Sequence, residues 1–90
     1  MTQFLGMDTV AVRRLSRELE TSADQIDQIR SQLTNQLGNV QWVGRDAQQF
    51  RNDWSSTHVP ALNRVIDALR QASQTASGNA TAQEQTSSTL

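Results

Sequence analysis

The chain has 90 residues, a formal net charge of -1, no cysteine, and charged side chains at only 19% of its positions. These bounds admit one small domain. Such a chain buries about 60 to 65% of its unfolded surface, too little to enclose a large active-site cavity. All eight basic residues are arginine, set against nine acidic ones, and a pI near 5.6 lacks the electrostatic footprint of a duplex-binding protein.

Without cysteine there is no disulfide, no thiol catalysis and no thiolate metal site. No apolar run approaches the roughly 18 residues needed to span a bilayer, so stable membrane insertion is not expected. The opening Met1-Thr2-Gln3-Phe4-Leu5-Gly6 has no basic stretch followed by an apolar core. Any export therefore has to avoid the ordinary signal-peptide route.

In chain order, the first element is a helix over about residues 9–38. Val12, Leu19, Ile26, Leu33 and Val40 recur every seven positions, with Leu15, Ile29 and Leu37 between them, and together they form a stripe about 100° wide on a helical wheel. Asp8 or Thr9 supplies the N-cap, and Gly38 with Asn39 the stop. Such a helix is about 45 Å long at 1.5 Å per residue. A turn over residues 39–45 follows, and then a second amphipathic helix over about 46–78. Its apolar members include Ala47, Phe50, Trp54, Leu62, Val65, Ile66 and Leu69 and cover a wider arc of about 160°. Pro60 sits opposite Leu62, Val65 and Leu69 on the wheel, so its missing N–H faces water and the helix is expected to kink and continue. Residues 1–80 thus form one hairpin domain. From Ser77 onward the composition turns to Gly, Asn, Thr, Gln and Ser, and a flexible polar tail is expected over residues 79–90.

The predicted fold is all-α, an antiparallel helix-turn-helix hairpin. A turn centred near Trp42 pairs Leu33 with Phe50, Ile29 with Trp54, Ser22 with Ala61, Leu19 with Val65 and Leu15 with Leu69. One partner helix cannot cover a 160° arc. Pairing two hairpins about a two-fold axis would give a four-helix bundle, with Leu15, Leu19, Ile26, Ile29, Leu33, Phe50, Trp54, Leu62, Val65 and Leu69 shared between hairpin and dimer interface.

Trp42-Val43-Gly44 is the most telling local feature. The indole is suited to cover the end of the hairpin core, and Gly44 allows either a positive φ or a close approach that a β-carbon would block. By itself this is a turn with an aromatic plug. Placed midway between two helical halves, and read with Gly6-Met7-Asp8, Asp46-Ala47, Phe50, Trp54 and His58-Val59-Pro60-Ala61-Leu62, it resembles the WXG family, the small early-secreted-antigen-like proteins of type VII (ESX) secretion in actinobacteria and related Gram-positive bacteria. The likeness covers nearly the whole chain. It implies a hairpin that dimerises with itself or with a sister WXG-type hairpin, engages the type VII secretion machinery, leaves the cytoplasm for the envelope or medium without a cleaved signal peptide, and has no enzymatic activity. In one respect the chain departs from the family. Many substrates of these systems carry Tyr-x-x-x-Asp/Glu just after the second helix, and this chain has no tyrosine. An export signal would then reside on a partner or follow another code.

The remaining polar residues suggest little chemistry. His58 is the only histidine; it has no companion ligands for a metal and no nucleophile to activate, so it reads as a packed or partly exposed structural residue. Its protonation would be costly within an interface, which makes pH sensitivity the alternative. Arg13, Arg14 and Arg17 are diluted by Glu18 and Glu20 into a solvated face. Arg51, at the edge of the apolar arc, has a stem that can cover the interface while its guanidinium reaches a carboxylate or water. No catalytic residue, metal or cofactor is implied. The expected function is a non-enzymatic secreted interaction module. A nucleic-acid-binding hairpin dimer and a membrane-active amphipathic protein are the rivals, the first opposed by the near-neutral charge and the second by modest hydropathy and the absence of lysine.

Overall fold

The structure, a computed structural model, describes residues 7–89. The opening hexapeptide, including the Gly6 of the family likeness, and Leu90 of the expected tail lie outside the described residues. Helix α1 runs Thr9–Asn39, α2 Arg45–Asp53 and α3 Val59–Thr89, with a π-helical turn over Trp54–His58 joining α2 to α3. The whole is an antiparallel all-α hairpin extending 67 × 17 × 14 Å.

Local chemistry explains the start of α1. Asp8 has extended backbone angles and its carboxylate accepts a hydrogen bond from the Ala11 N–H at 3.0 Å, satisfying one of the unpaired donors of the first turn. Met7 and Val12 bracket this cap and line the same groove, the arrangement of a hydrophobic staple. The helix stops where Val40 turns extended, at φ -75° and ψ 139°, while its N–H still reaches the Gln36 carbonyl at 2.9 Å. The helix ends at Asn39, the stop expected at Gly38 with Asn39, but without a left-handed glycine, since Gly44 is the only glycine with positive φ among the described residues.

Pro60 removes one helical donor, and the chain accommodates it by widening the preceding turn. The Val59 N–H reaches back to the Trp54 carbonyl, five residues away, as a π turn requires. The Ser55 and Ser56 hydroxyls both donate to the Asn52 carbonyl, at 3.3 and 2.6 Å. The helical run expected to continue through Pro60 does so by way of this π-helical turn.

Two sequence expectations need correction. The second helix does not end near residue 78; it continues through Thr89, so residues 79–89 belong to the hairpin rather than to a flexible tail. Ala80 is fully buried, Gln83 is buried, and Glu84 pairs with Arg13. Small residues carry little hydropathy, but they permit the close helix approach that buries them here.

The hairpin register also differs. Ser16 lies against Ser73, Trp54 against Thr34 and Arg51 beside Leu37. The pairs Leu33–Phe50, Ile29–Trp54, Ser22–Ala61, Leu19–Val65 and Leu15–Leu69 are therefore each out of step by about five residues. The cause is the seam. Apart from Gln83, the residues buried on the long helices are Ser16 and Ala23 on α1 and Ile66, Ser73 and Ala80 on α3, spaced by seven on both helices. Small side chains let the two backbones come close, and a seam of large residues would hold them apart. At its centre the Ser16 hydroxyl donates to the Ser73 carbonyl and the Ser73 hydroxyl to the Ser16 carbonyl, both at 2.8 Å, with the two hydroxyl oxygens 3.0 Å apart. These reciprocal bonds leave neither buried hydroxyl unpaired.

Candidate interaction face

The small seam gives the hairpin two unlike sides. Three residues beyond each seam position lie Val12, Leu19, Ile26, Leu33 and Val40 on α1, and Leu62, Leu69 and Ala76 on α3. Four residues beyond lie Arg13, Glu20, Asp27 and Thr34, and on α3 Asn63, Arg70, Ser77 and Glu84. One side is therefore apolar and the other ionic.

The ionic side is closed on itself. Arg13 grips Glu84 with two nitrogens, at 2.7 and 3.2 Å, and donates to Thr81 at 2.8 Å. Arg70 donates to Glu20 at 2.6 Å and to Asp24 at 2.9 Å, with Asp27 at 3.6 Å. Arg30 reaches both Asp27 and Asn63. The hydrogen bond from Arg13 holds the Glu84 carboxyl below the usual carboxylate range, and Arg13 and Arg70 are raised by the carboxylates they bind, Arg70 chiefly through Asp24 and then Glu20.

The apolar side has no such closure. Ile26, Leu62 and Leu69 are half-buried, whereas Leu15 (49%), Ile29 (53%), Phe50 (41%) and Val65 (46%) are exposed. Among the described residues no large side chain is fully buried. Two open grooves mark this side. One, of about 610 Å³, lies where Val12, Leu15 and Leu19 face Ala68, Ala72 and Ala76. The other, of about 590 Å³, lies where Leu33, Leu37 and Val40 meet Phe50 and Trp54. The ten residues expected at the hairpin or dimer interface thus divide: Leu19, Ile26, Trp54, Leu62 and Leu69 are half-buried beside the seam, and the other five stay in water.

Rings climb one end of the molecule. Trp42, Phe50, Trp54 and His58 follow one another at centroid distances of 5.9, 6.4 and 6.2 Å, within the range of favourable aromatic contact. The Trp54 indole N–H donates to the Thr34 hydroxyl at 3.0 Å. His58 is exposed and leans on Trp54.

Arg51 organises the turn. Its guanidinium donates to the carbonyls of Leu37 (3.0 Å), Trp42 (2.8 Å) and Val40 (3.3 Å), and its centre lies 5.9 Å from the Trp42 ring. Its protein acceptors are main-chain carbonyls rather than the carboxylate expected from sequence. A planar fork with five donors suits such convergence. Gly44 follows at φ 117° and ψ 178° as the N-cap of α2. A β-carbon there would meet nothing within 4 Å, so of its two expected roles the backbone conformation is the one present. Val43 projects from the tip, 84% exposed.

Sequence reasoning missed the Arg51 clamp, the serine pair and the Arg70 cluster. The last two have a signal in retrospect, since Ser16 and Ser73 are seam positions and Arg70 lies four residues beyond the seam position Ile66. Among the described residues no helix is long and apolar enough to cross a membrane. Compared with protein-family models, curated proteins and solved structures, the chain matches none.

Proposed function

We propose that this chain is a non-enzymatic helical interaction protein that packs its apolar side against a second helical hairpin. The observation that carries the reading is the division into two sides, with ionic groups paired within the hairpin while leucine, isoleucine, valine and phenylalanine side chains stay in water on the other. Water contact at that many apolar groups is unfavourable by about 25 cal/mol per Å², so a partner that covers them is stabilised without needing to break an existing ion pair.

The likeness to WXG proteins supports the same reading. Trp42-Val43-Gly44 forms the turn between two long helices, and Gly44 has a backbone conformation that other residues rarely adopt. On that likeness the partner is a copy of the chain or a sister hairpin, and the pair is a type VII secretion substrate or the escort of one, released without a cleaved signal peptide. With no tyrosine in the chain, the export signal would lie on a sister partner or follow another code.

Light scattering on the purified chain, alone and mixed with candidate hairpin partners, tests the interaction. A complex of defined mass that Ile29→Asp disrupts is the expected result. A chain that stays monomeric with every hairpin offered would overturn it. Export is tested separately in the source organism, where the chain should reach the medium only while the partner is present.

A further inference from the structure

We infer that the chain's own opening residues are a strap for the apolar side: Phe4, with Leu5 beside it, folds back past the cap of α1 into the alanine-floored groove, and a docking partner has to displace it. The shielding role rests on the apolar side being a docking surface; the contact itself does not.

The groove begins where the described chain does. Met7, half-buried, lines it together with Val12, Leu15 and Leu19 of α1. The six residues ahead of Met7 therefore enter at its mouth, and Phe4 and Leu5 are among them. Gly6, between these two and Met7, gives the backbone the conformational freedom that a reversal needs. Phe4 stands three residues from Met7, a reach of about 10 Å, and α1 rises by about the same distance from Asp8 to Leu15. The ring can thus travel to the middle of the groove.

Gln83 gives the direction. Ser16 sits opposite Ser73, so Thr9, the first residue of α1, is level with Ala80, seven residues along each helix. Gln83 lies three residues farther, beyond the start of α1 and in line with Leu69 and Ala76 on the apolar flank, yet it is only 6% exposed. Its cover comes from the chain ahead of Thr9, which accordingly crosses toward α3 on the apolar side rather than on the ionic one. A strap has to take that course.

Size and charge agree with this. The floor of Ala68, Ala72 and Ala76 leaves about 610 Å³ open, and a ring placed there gains contacts that an empty groove forgoes. The lining carries no ionisable side chain, and neither does Met1-Thr2-Gln3-Phe4-Leu5-Gly6, so docking strips water from no charged side chain. Tethering supplies the segment at an effective concentration on the order of millimolar, against which a free partner at micromolar concentration must compete. The second groove, at Leu33, Val40, Phe50 and Trp54, lies about 27 Å farther along α1 from Leu15 and beyond the strap's reach. A partner can engage there first and expel the strap afterwards.

A nitroxide on Gln3→Cys, the single cysteine of that full-length variant, tests the contact. In the monomeric chain it should broaden the amide NMR signals of residues 68–76 and leave those of 50–58 sharp. Phe4→Asp in the labelled chain should restore the signals of 68–72, and Phe4→Leu should not. Phe4→Asp should also bind a purified hairpin protein, copies of the chain included, about tenfold more tightly, the gain for a strap docked nine-tenths of the time. Equal broadening with Phe4 and with Phe4→Asp overturns the proposal, and so does a docked strap whose loss leaves partner affinity unchanged. A strap that docks in a chain binding no hairpin, with or without Phe4→Asp, removes the shielding role and the docking reading together. A hairpin that binds the native and Phe4→Asp chains alike, with no broadening in either, removes the strap and leaves the docking reading standing.

Discussion

Three main-chain carbonyls of the turn converge on Arg51, and the guanidinium is their common donor. Arg51→Ala should lower stability by about 1–2 kcal/mol, which for a chain of this size moves the melting temperature down roughly 5–15 °C. Arg51→Lys keeps the charge but presents a single ammonium, and less than half of the loss should be recovered. Circular dichroism melts of the two variants check this. Gly44 is limited by its backbone angles and has open space around it, so Gly44→Ala should cost about 1–3 kcal/mol through strain alone. Ser16 and Ser73 act as a pair. Removing either hydroxyl leaves the other with half its partners, at about 1–2 kcal/mol, and the double change to alanine should cost less than the two single changes together. Urea melts of the four chains of that cycle measure the coupling.

At the scale of the helices, the last two turns of α3 depend on small residues and one ion pair. The carboxyl of Glu84 is lowered by its hydrogen bond to Arg13, so the link is present at neutral pH and is lost as the pH falls through that lowered value, below the ordinary carboxylate range. Backbone NMR shifts of residues 80–86 should report fraying in that acid window. Glu84→Gln should show the looser end already at neutral pH and no further change on acidification. A chain cut after residue 78 should melt lower, because it exposes the partners of Ala80 and Gln83.

Much of this was legible in the sequence, and the part that was not has physical causes. Val12, Leu19, Ile26, Leu33 and Val40 mark a stripe correctly, but periodicity cannot say whether a stripe is the seam or its flank. Ser16 and Ala23 sit next to it on the wheel and bear almost no hydropathy, yet they are what α3 touches. The register followed from the same confusion, since matching large residues to large ones ignores how closely alanine and serine let two backbones approach. Residues 79–89 were misread for that reason too. The Arg51 clamp was hidden differently, because its acceptors are carbonyls that every residue possesses and only the turn brings together.

For the molecule as a whole, the consequence is a rod without a thick core. Two helices touching along small residues bury no large side chain completely among the described residues, and a chain this short has little surplus stability to draw on. If a second hairpin covers the apolar side, folding and association are linked, and the melting temperature should rise with protein concentration. Calorimetry across a 100-fold range measures this; a constant value would separate the hairpin's stability from any partner.

The serine layer also bears on how the rod assembles. A seam that repeats every seven residues is a ruler whose marks look alike, and two helices zipping together can engage one mark too early or too late. A slip of one heptad sets Ser16 against Ala80 and Ser73 against Ala23, where each hydroxyl still faces a main-chain carbonyl but the hydroxyl–hydroxyl contact is lost. That loss of one hydrogen bond, about 1 kcal/mol, is small beside the folding energy yet favours the correct alignment severalfold. The serine pair is thus what distinguishes the correct alignment from one shifted by a heptad in this layer.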